Sequence, residues 1–199
     1  MAVSFESLRQ KGRRLQAEVD ALDRAVAEAV LRTPTPTLDP IIRGLARASD
    51  YKGLWLATSV VAAVVDGQRG RRVAVRCLAT VGVASVVADL VAKRTFQRQR
   101  PEETSVSQDR AARRPTSSSF PSSHTASAVA FATVFAREYP ILGMPVNALA
   151  AAVGYSRVHT GVHYASDVVA GAVIGSSTAS LTGALFDRVD RVDRRRRRT

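Results

Sequence analysis

Three short clusters carry the chemistry open to this chain: Lys93-x6-Arg100-Pro101, then Pro121-Ser122-Ser123-His124, then Ser156-Arg157-x5-His163-x3-Asp167. Together they supply three cations, two imidazoles and one carboxylate, all at the ends of apolar stretches. That inventory suits holding a tetrahedral phosphate, attacking it with one imidazole and protonating the leaving oxygen with the other. Of the 3 His in the chain, two fall inside these clusters.

Each cluster alone has an ordinary reading. Lys93 and Arg100 lie two helical turns apart and share a face if the helix runs on to Pro101, which ends it. Two such cations at a helix end more often satisfy carbonyls than bind substrate. Ser122 can cap a helix that opens here, with the amides of its first turn pointing outward toward an anion. His163 and Asp167 are four residues apart and can meet by hydrogen bond, the carboxylate fixing the tautomer and leaving the other ring nitrogen to attack. Ser166 is the expected N-cap of a helix over 167–186. His159 falls outside the spacing and is expected to be structural or to line the pocket.

The elements that must position these groups are helical. At 199 residues the chain fits one domain with a real core. Residues 5–32 read as one amphipathic helix, with Leu15, Val19, Leu22 and Val26 on one face, packed on the domain or lying at a membrane surface. Thr33-Pro34-Thr35-Pro36 stops it. Apolar stretches follow at 51–65, 73–92, 125–139, 141–155 and 165–186. The second and fifth are long enough to cross a ~30 Å hydrocarbon core, and the others are shorter. Ala and Gly fill them, which permits close helix packing. Arg76 and Asp89, costly in lipid, are expected to face protein or water. The expected architecture is an all-α bundle of five transmembrane helices behind an N-terminal amphipathic helix. It divides into 1–50, a membrane-embedded core over 51–186, and a basic cytoplasmic tail over 187–199.

The formal charge of +12 would by itself suggest a nucleic-acid partner. Residues 1–50 are nearly balanced, however, and the excess sits at 67–72, 93–120 and 187–199 with no interleaved aromatic stripe, so nucleic acid is excluded. Cys77 is single and rules out a disulfide framework within one chain. The N-terminal MAVSFESLRQKGRR lacks the apolar core of a secretory signal, so insertion is expected to use internal segments. With five spans, the motif clusters lie on one side and the 67–72 arginines and basic tail on the other, which is then cytoplasmic. Residues 102–119 are expected to form a flexible polar loop over the site.

In order and spacing, the three clusters resemble the signature of the type 2 phosphatidic acid phosphatase superfamily, which also contains bacterial acid phosphatases and vanadium haloperoxidases. Ser123 stands where that family usually has Gly. The resemblance implies a catalytic set of His163 as nucleophile forming a phosphohistidine, Asp167 orienting it, and His124 protonating the leaving group. It implies that Lys93, Arg100 and Arg157, with Ser122 and the Ser123 amide, hold the phosphoryl oxygens. It implies hydrolysis with neither a metal nor another cofactor. The expected function is a multi-pass cell-membrane lipid phosphatase, its site facing the extracytoplasmic side, acting on phosphatidate-like or polyprenyl phosphates or diphosphates. A vanadate-dependent haloperoxidase fits the same residues, but such enzymes are generally much longer. A soluble secreted acid phosphatase is disfavoured by the missing signal, and a non-enzymatic scaffold would not need every motif residue.

Overall fold

Proline and glycine punctuate the chain where the sequence places them. The computed structural model describes residues 5–102, 110–112 and 116–196, the side chains of residues 5, 51, 91–93 and 194 excepted. Helix α1 (Phe5–Arg32) ends against the Thr-Pro repeat, and α2 (Asp39–Ser49) starts with Pro40 in its first turn, where a missing N–H costs nothing. A 3₁₀ turn, Asp50–Lys52, leads to α3 (Gly53–Val65), with Lys52 in the left-handed region at φ 62°. The chain reverses at Asp66 into α4 (Gly67–Val86), which continues through a π-helical turn (Val87–Ala92) into the single turn α5 (Lys93–Thr95). After an irregular segment come α6 (Ser123–Glu138), α7 (Pro140–His159) and α8 (Ala165–Arg196). Among the described residues there is no strand, so the all-α expectation holds.

Helix α6 is the central post, packed against α4, α7 and α8. Its residues Thr125 to Phe135 are buried on almost every side, as befits a helix surrounded by others. Trp55, Val73, Cys77, Phe131, Phe135 and Val153 form the core around it. Trp55 tilts over Phe131 at 4.9 Å, and Phe131 stacks on Phe135 at 5.6 Å. The α6–α8 contact depends on glycine: a Cβ on Gly171 would collide with the Ser122 carbonyl, and one on Gly175 with that of Ala126. Backbones this close are what small-residue stripes permit.

Short turns reverse the chain between α3 and α4 and between α6 and α7, and the helix termini gather at two ends. At one end Tyr139 donates its hydroxyl to Asp66 at 2.6 Å, Arg69 reaches the Glu138 carbonyl at 2.7 Å, and Arg76 bridges Glu138 and Asp190 at 2.7 and 2.5 Å. Arg76 thus faces protein, as its cost in lipid requires, whereas Asp89 is exposed. All three motif clusters meet at the other end. By length and composition, Gly67–Leu90 (24 residues, mean hydropathy 1.8) and Ala165–Asp193 (29 residues, 1.5) could each cross a membrane, while Gly53–Val65 is apolar but shorter.

Two local expectations need correction. The helix carrying Lys93 stops at Thr95 and does not run on to Arg100. Residues 96–100 are instead tied across the chain, Ser119 N–H donating to the Arg98 carbonyl and Arg98 N–H to Ser118 Oγ, so their amides serve a tertiary contact. The polar 102–119 segment is anchored at Arg110, only 4% exposed, which donates to the carbonyls of Val30 (2.9 Å) and Thr33 (2.5 Å) and pairs with Asp39 (3.0 Å). Residues 103–109 and 113–115 of that segment lie outside the described residues. Helix α1 has the predicted bounds, yet Leu15, Val19 and Leu22 are exposed by 44–64%, and the face turned inward is Asp23 and Ala27.

Candidate active site

The second cluster opens α6 as its residues dictate. Ser122 is the N-cap, its hydroxyl accepting from the Thr125 amide at 3.4 Å and the Thr125 hydroxyl at 2.9 Å. The amides of Ser123 and His124 belong to that first helical turn, where the helix presents its positive end. His124 Nε2 lies 3.2 Å from Asp50 Oδ1. A pocket of about 160 Å³ beside it is lined by Ser49, Lys52, Trp55, Asp89, Ser123 and Ser127.

Arg157 occupies the last turn of α7 and is 2% exposed. Its guanidinium donates to the Ala46 carbonyl at 2.6 Å, to Ser49 Oγ, and to Asp50 Oδ1 at 3.3 Å. Its Nε is buried with no hydrogen-bond partner among the described residues, a state that costs ~1–3 kcal/mol unless something else accepts the proton. For Asp50 burial pushes upward, but the His124 hydrogen bond and the Arg157 charge outweigh it and hold the carboxyl below the usual range.

Beyond α7 the chain folds back on itself. Gly161, at φ 65°, permits the reversal, and the His163 amide then donates to the Arg157 carbonyl at 3.1 Å. The five residues between Arg157 and His163 are therefore a closed turn that returns the chain at His163 to the last turn of α7. His163 is 2% exposed, and burial pushes its pKa down to about 4, so the ring is neutral at pH 7. Its Nε2 lies 3.4 Å from Arg100 Nη1, while Nδ1 is buried and 3.6 Å from Asp167 Oδ2, near the carboxylate without a formed hydrogen bond. Arg100 reaches in from the irregular segment, held by the carbonyls of Val162 (2.6 Å) and Ser117 (3.1 Å).

Asp167, fully buried, departs from the sequence expectation in one respect. Helix α8 begins at Ala165, two residues earlier than a Ser166 cap would allow. Asp167 is then the third helical residue and caps the helix itself, Oδ2 accepting the Tyr164 amide at 2.9 Å. Ser122 N–H closes the ring by donating to the Asp167 carbonyl at 3.0 Å.

The structure thus gathers His124, His163, Asp167, Arg100, Arg157, Ser122 and Ser123 at one end of the bundle. The side chain of Lys93 lies outside the described residues. His159, as expected of the third imidazole, is structural: it is 1% exposed and paired with Asp39 at 2.9 Å. Sequence reasoning missed Asp50, which joins His124 to Arg157, and Arg98, whose Nη1 donates to Asp167 Oδ1 at 2.9 Å. Neither sits in a recognisable spacing. The one local hint is the left-handed Lys52, since such positions recur at functional sites. A groove of about 800 Å³ lies elsewhere, between α1 and residues 95–99, with Leu15, Val19, Phe96, Phe120 and Tyr164 on its walls.

Residues 74–190 match the PAP2 superfamily, a span that includes every motif residue just described. The chain belongs to the PAP2 superfamily. It is 32% identical over 151 residues to the decaprenylphosphoryl-5-phosphoribose phosphatase of Mycobacterium tuberculosis, covering 74% of this chain and 77% of that one. Over a shorter 70 residues it is 40% identical to the lipid A 1-phosphatase of Rhizobium johnstonii, which is 35% of this chain and 29% of the relative. Its fold resembles a solved transmembrane PAP2-type phosphatidylglycerolphosphate phosphatase from Bacillus subtilis, with a TM-score of 0.68 at 21% identity over 86% of this chain and 88% of that one. It also resembles Aquifex aeolicus LpxE, with a TM-score of 0.67 at 21% identity over 81% and 94%. As a PAP2 protein the chain is an enzyme, a phosphatase.

Proposed function

We propose that this PAP2 phosphatase cleaves the phosphate ester of a membrane lipid, a polyprenyl-linked or phospholipid phosphate, through a phosphohistidine on His163. The observation that carries the proposal is the Arg157 Nε, buried with no partner among the described residues, at the end of the bundle where the neutral His163 ring meets Arg100 and α6 begins. An anion with several acceptor oxygens satisfies such a site, and none of the described residues does.

In this reading His163 Nε2 donates its lone pair to phosphorus, and the P–O bond to the lipid breaks. His124 gives its proton to the departing alkoxide, so the alcohol leaves neutral. Asp50 stands against His124, its Oδ1 3.2 Å from the ring Nε2, and holds the imidazole in place. The P–N bond is then broken by water, whose proton returns to His124 while phosphate is released. Arg100, Arg157 and, by resemblance, Lys93 hold the equatorial oxygens together with Ser122 and the Ser123 amide, stabilising charge that spreads there in the transition state. Asp167 orients the His163 ring from the Nδ1 side.

The membrane reading rests on surface as well as length. Val65 (80%), Ile141 (89%), Met144 (81%) and Leu181 (74%) are exposed large apolar side chains on the helices read as spans, which a hydrocarbon surround accommodates. Five spans formed by α3, α4, α6, α7 and α8 put the site at one interface. Arg71, Arg72, Arg195 and Arg196 lie at the other, which the positive-inside bias makes cytoplasmic. Residues 1–50 then form an extracytoplasmic helical region, 51–186 the membrane core and 187–199 a cytoplasmic tail, of which 197–199 lie outside the described residues. The M. tuberculosis relative supports a polyprenyl-linked substrate. Phosphate release from polyprenyl phosphates, a polyprenyl-phosphoryl pentose phosphate, phosphatidate and phosphatidylglycerol phosphate in mixed micelles tests the proposal. Turnover of soluble sugar phosphates in preference to all of these would overturn it.

A further inference from the structure

Asp167 is steadied by more than its own helix. Arg98 Nη1 donates to Asp167 Oδ1 at 2.9 Å and to Ser166 Oγ at 2.8 Å. Its Nη2 turns the other way, to Asp20 Oδ1 and Asp23 Oδ2 on α1, both at 2.7 Å. Asp23 also accepts the amide (2.9 Å) and the hydroxyl (2.5 Å) of Ser166, and its side chain is 3% exposed. The guanidinium lies over the Tyr164 ring at 4.5 Å, which fixes its plane.

We infer that Asp23 is a positioning residue of the phosphatase reaction, dividing the Arg98 fork so that only one of its arms reaches Asp167. This rests on the roles proposed above for Asp167 and His163. A guanidinium facing a lone carboxylate prefers to grip both oxygens. With Nη2 spent on Asp20 and Asp23, Nη1 takes Oδ1 alone. Oδ2 is left for the Tyr164 amide and for the His163 ring 3.6 Å away. Without Asp23 only Asp20, with a side chain 36% exposed, still holds Nη2, and a solvent-weakened pair lets the fork turn toward both Asp167 oxygens and draw the carboxylate off the imidazole.

A simple docking role for α1 explains the arrangement less well. The apolar residues of α1 that could have docked it, Leu8, Leu15, Val19 and Leu22, are exposed, and a buried carboxylate carries a desolvation cost that an apolar contact would avoid. The C-terminal end of α1 has its own anchor in Arg110, which holds the Val30 carbonyl.

The test is a double-mutant cycle between Asp23→Asn and Asp167→Asn in the full-length protein, read with an aryl phosphate whose good leaving group keeps weak activities measurable. The expected result is a loss of about tenfold in kcat for Asp23→Asn, with KM within about twofold, and no further loss when Asp167→Asn is already present. Asp23→Glu, which keeps the charge, should restore most of the rate. Should Asp23→Asn fail to fold, Arg98→Lys enters the same cycle, because one ammonium cannot hold α1 and Asp167 together. Unchanged kcat, a loss confined to KM, or the same fold-loss in both backgrounds overturns the inference. If Asp167→Asn alone leaves the rate intact, the failure belongs to the proposed mechanism instead.

Discussion

Replacing Gly171 by Ala adds one methyl group where α8 touches the first turn of α6. That Cβ would sit well inside van der Waals contact of the Ser122 carbonyl, 3.2 Å from Thr125 Cβ and 3.3 Å from the Ala126 amide. Two of these three neighbours are backbone and cannot rotate aside, so the helices must part by about 1 Å to regain ordinary contact. Overpacking of this kind costs about 1–3 kcal/mol. The larger effect is on geometry, since Ser122 N–H bonds the Asp167 carbonyl at this junction and a shift of about 1 Å in a reacting group can cost ~100-fold in rate. The comparison is Gly82→Ala on α4, where an added Cβ meets nothing within 4 Å and Ala should be neutral or stabilising by about 0.5–1 kcal/mol. Phosphate release and thermal unfolding of both variants in the same detergent separate the effects. We expect Gly171→Ala to stay folded with kcat down by about two orders of magnitude, and Gly82→Ala to keep its rate. Wild-type kcat in Gly171→Ala would refute the argument that the α6–α8 contact sets the site.

Three further outcomes are expected. Asp50→Asn removes the carboxylate beside His124 and should slow lipid esters by roughly tenfold or more while affecting aryl phosphates less, since only the former need a strong acid for the leaving group; equal losses would remove Asp50 from that role. Because burial pushes His163 down to about 4 from an ordinary 6.5, its lone pair survives mild acid, and kcat on an aryl phosphate should stay level from about pH 7 to about pH 5. Between pH 6.5 and 4 the unfolded chain binds a proton that the folded chain refuses, so stability falls as pH drops through that window, and His163→Asn should flatten the slope. In a Cys77→Ala background, cysteine at Glu102 should react with an impermeant thiol reagent in intact cells and cysteine at Gln68 only after lysis. The reverse pattern would place the site in the cytoplasm.

What the sequence made legible was local. The stop at Thr33-Pro34-Thr35-Pro36 fixed the end of α1, and the apolar stretches located α3, α6 and α7 to within a few residues, while α4 starts six residues earlier and α8 runs ten residues further than their stretches. Motif spacing identified the seven polar residues that meet at one end, because Arg157 to His163 is one closed turn and His163 to Asp167 one helical turn. The rest depends on distant partners. Asp50 meets Arg157 and Asp23 meets Ser166 across more than a hundred residues, and no periodicity encodes such pairs. The early end of α5 has the same cause, since residues 96–100 give up helical bonds for partners at 117–119. The cap of α8 was misread because two adjacent residues could serve, and Ser166 is committed to Asp23 instead.

The central claim is the covalent intermediate on His163. Brief reaction with ³²P-labelled lipid phosphate or aryl phosphate, followed by denaturation in alkali, should leave label on the protein that is stable to base, lost in acid, and mapped by peptide mass spectrometry to His163. The label should accumulate in His124→Ala with an aryl phosphate, where hydrolysis of the intermediate lacks its base, and should be absent from His163→Ala. Turnover with no trapped label under these conditions, or label on His124 or a serine, would contradict the account.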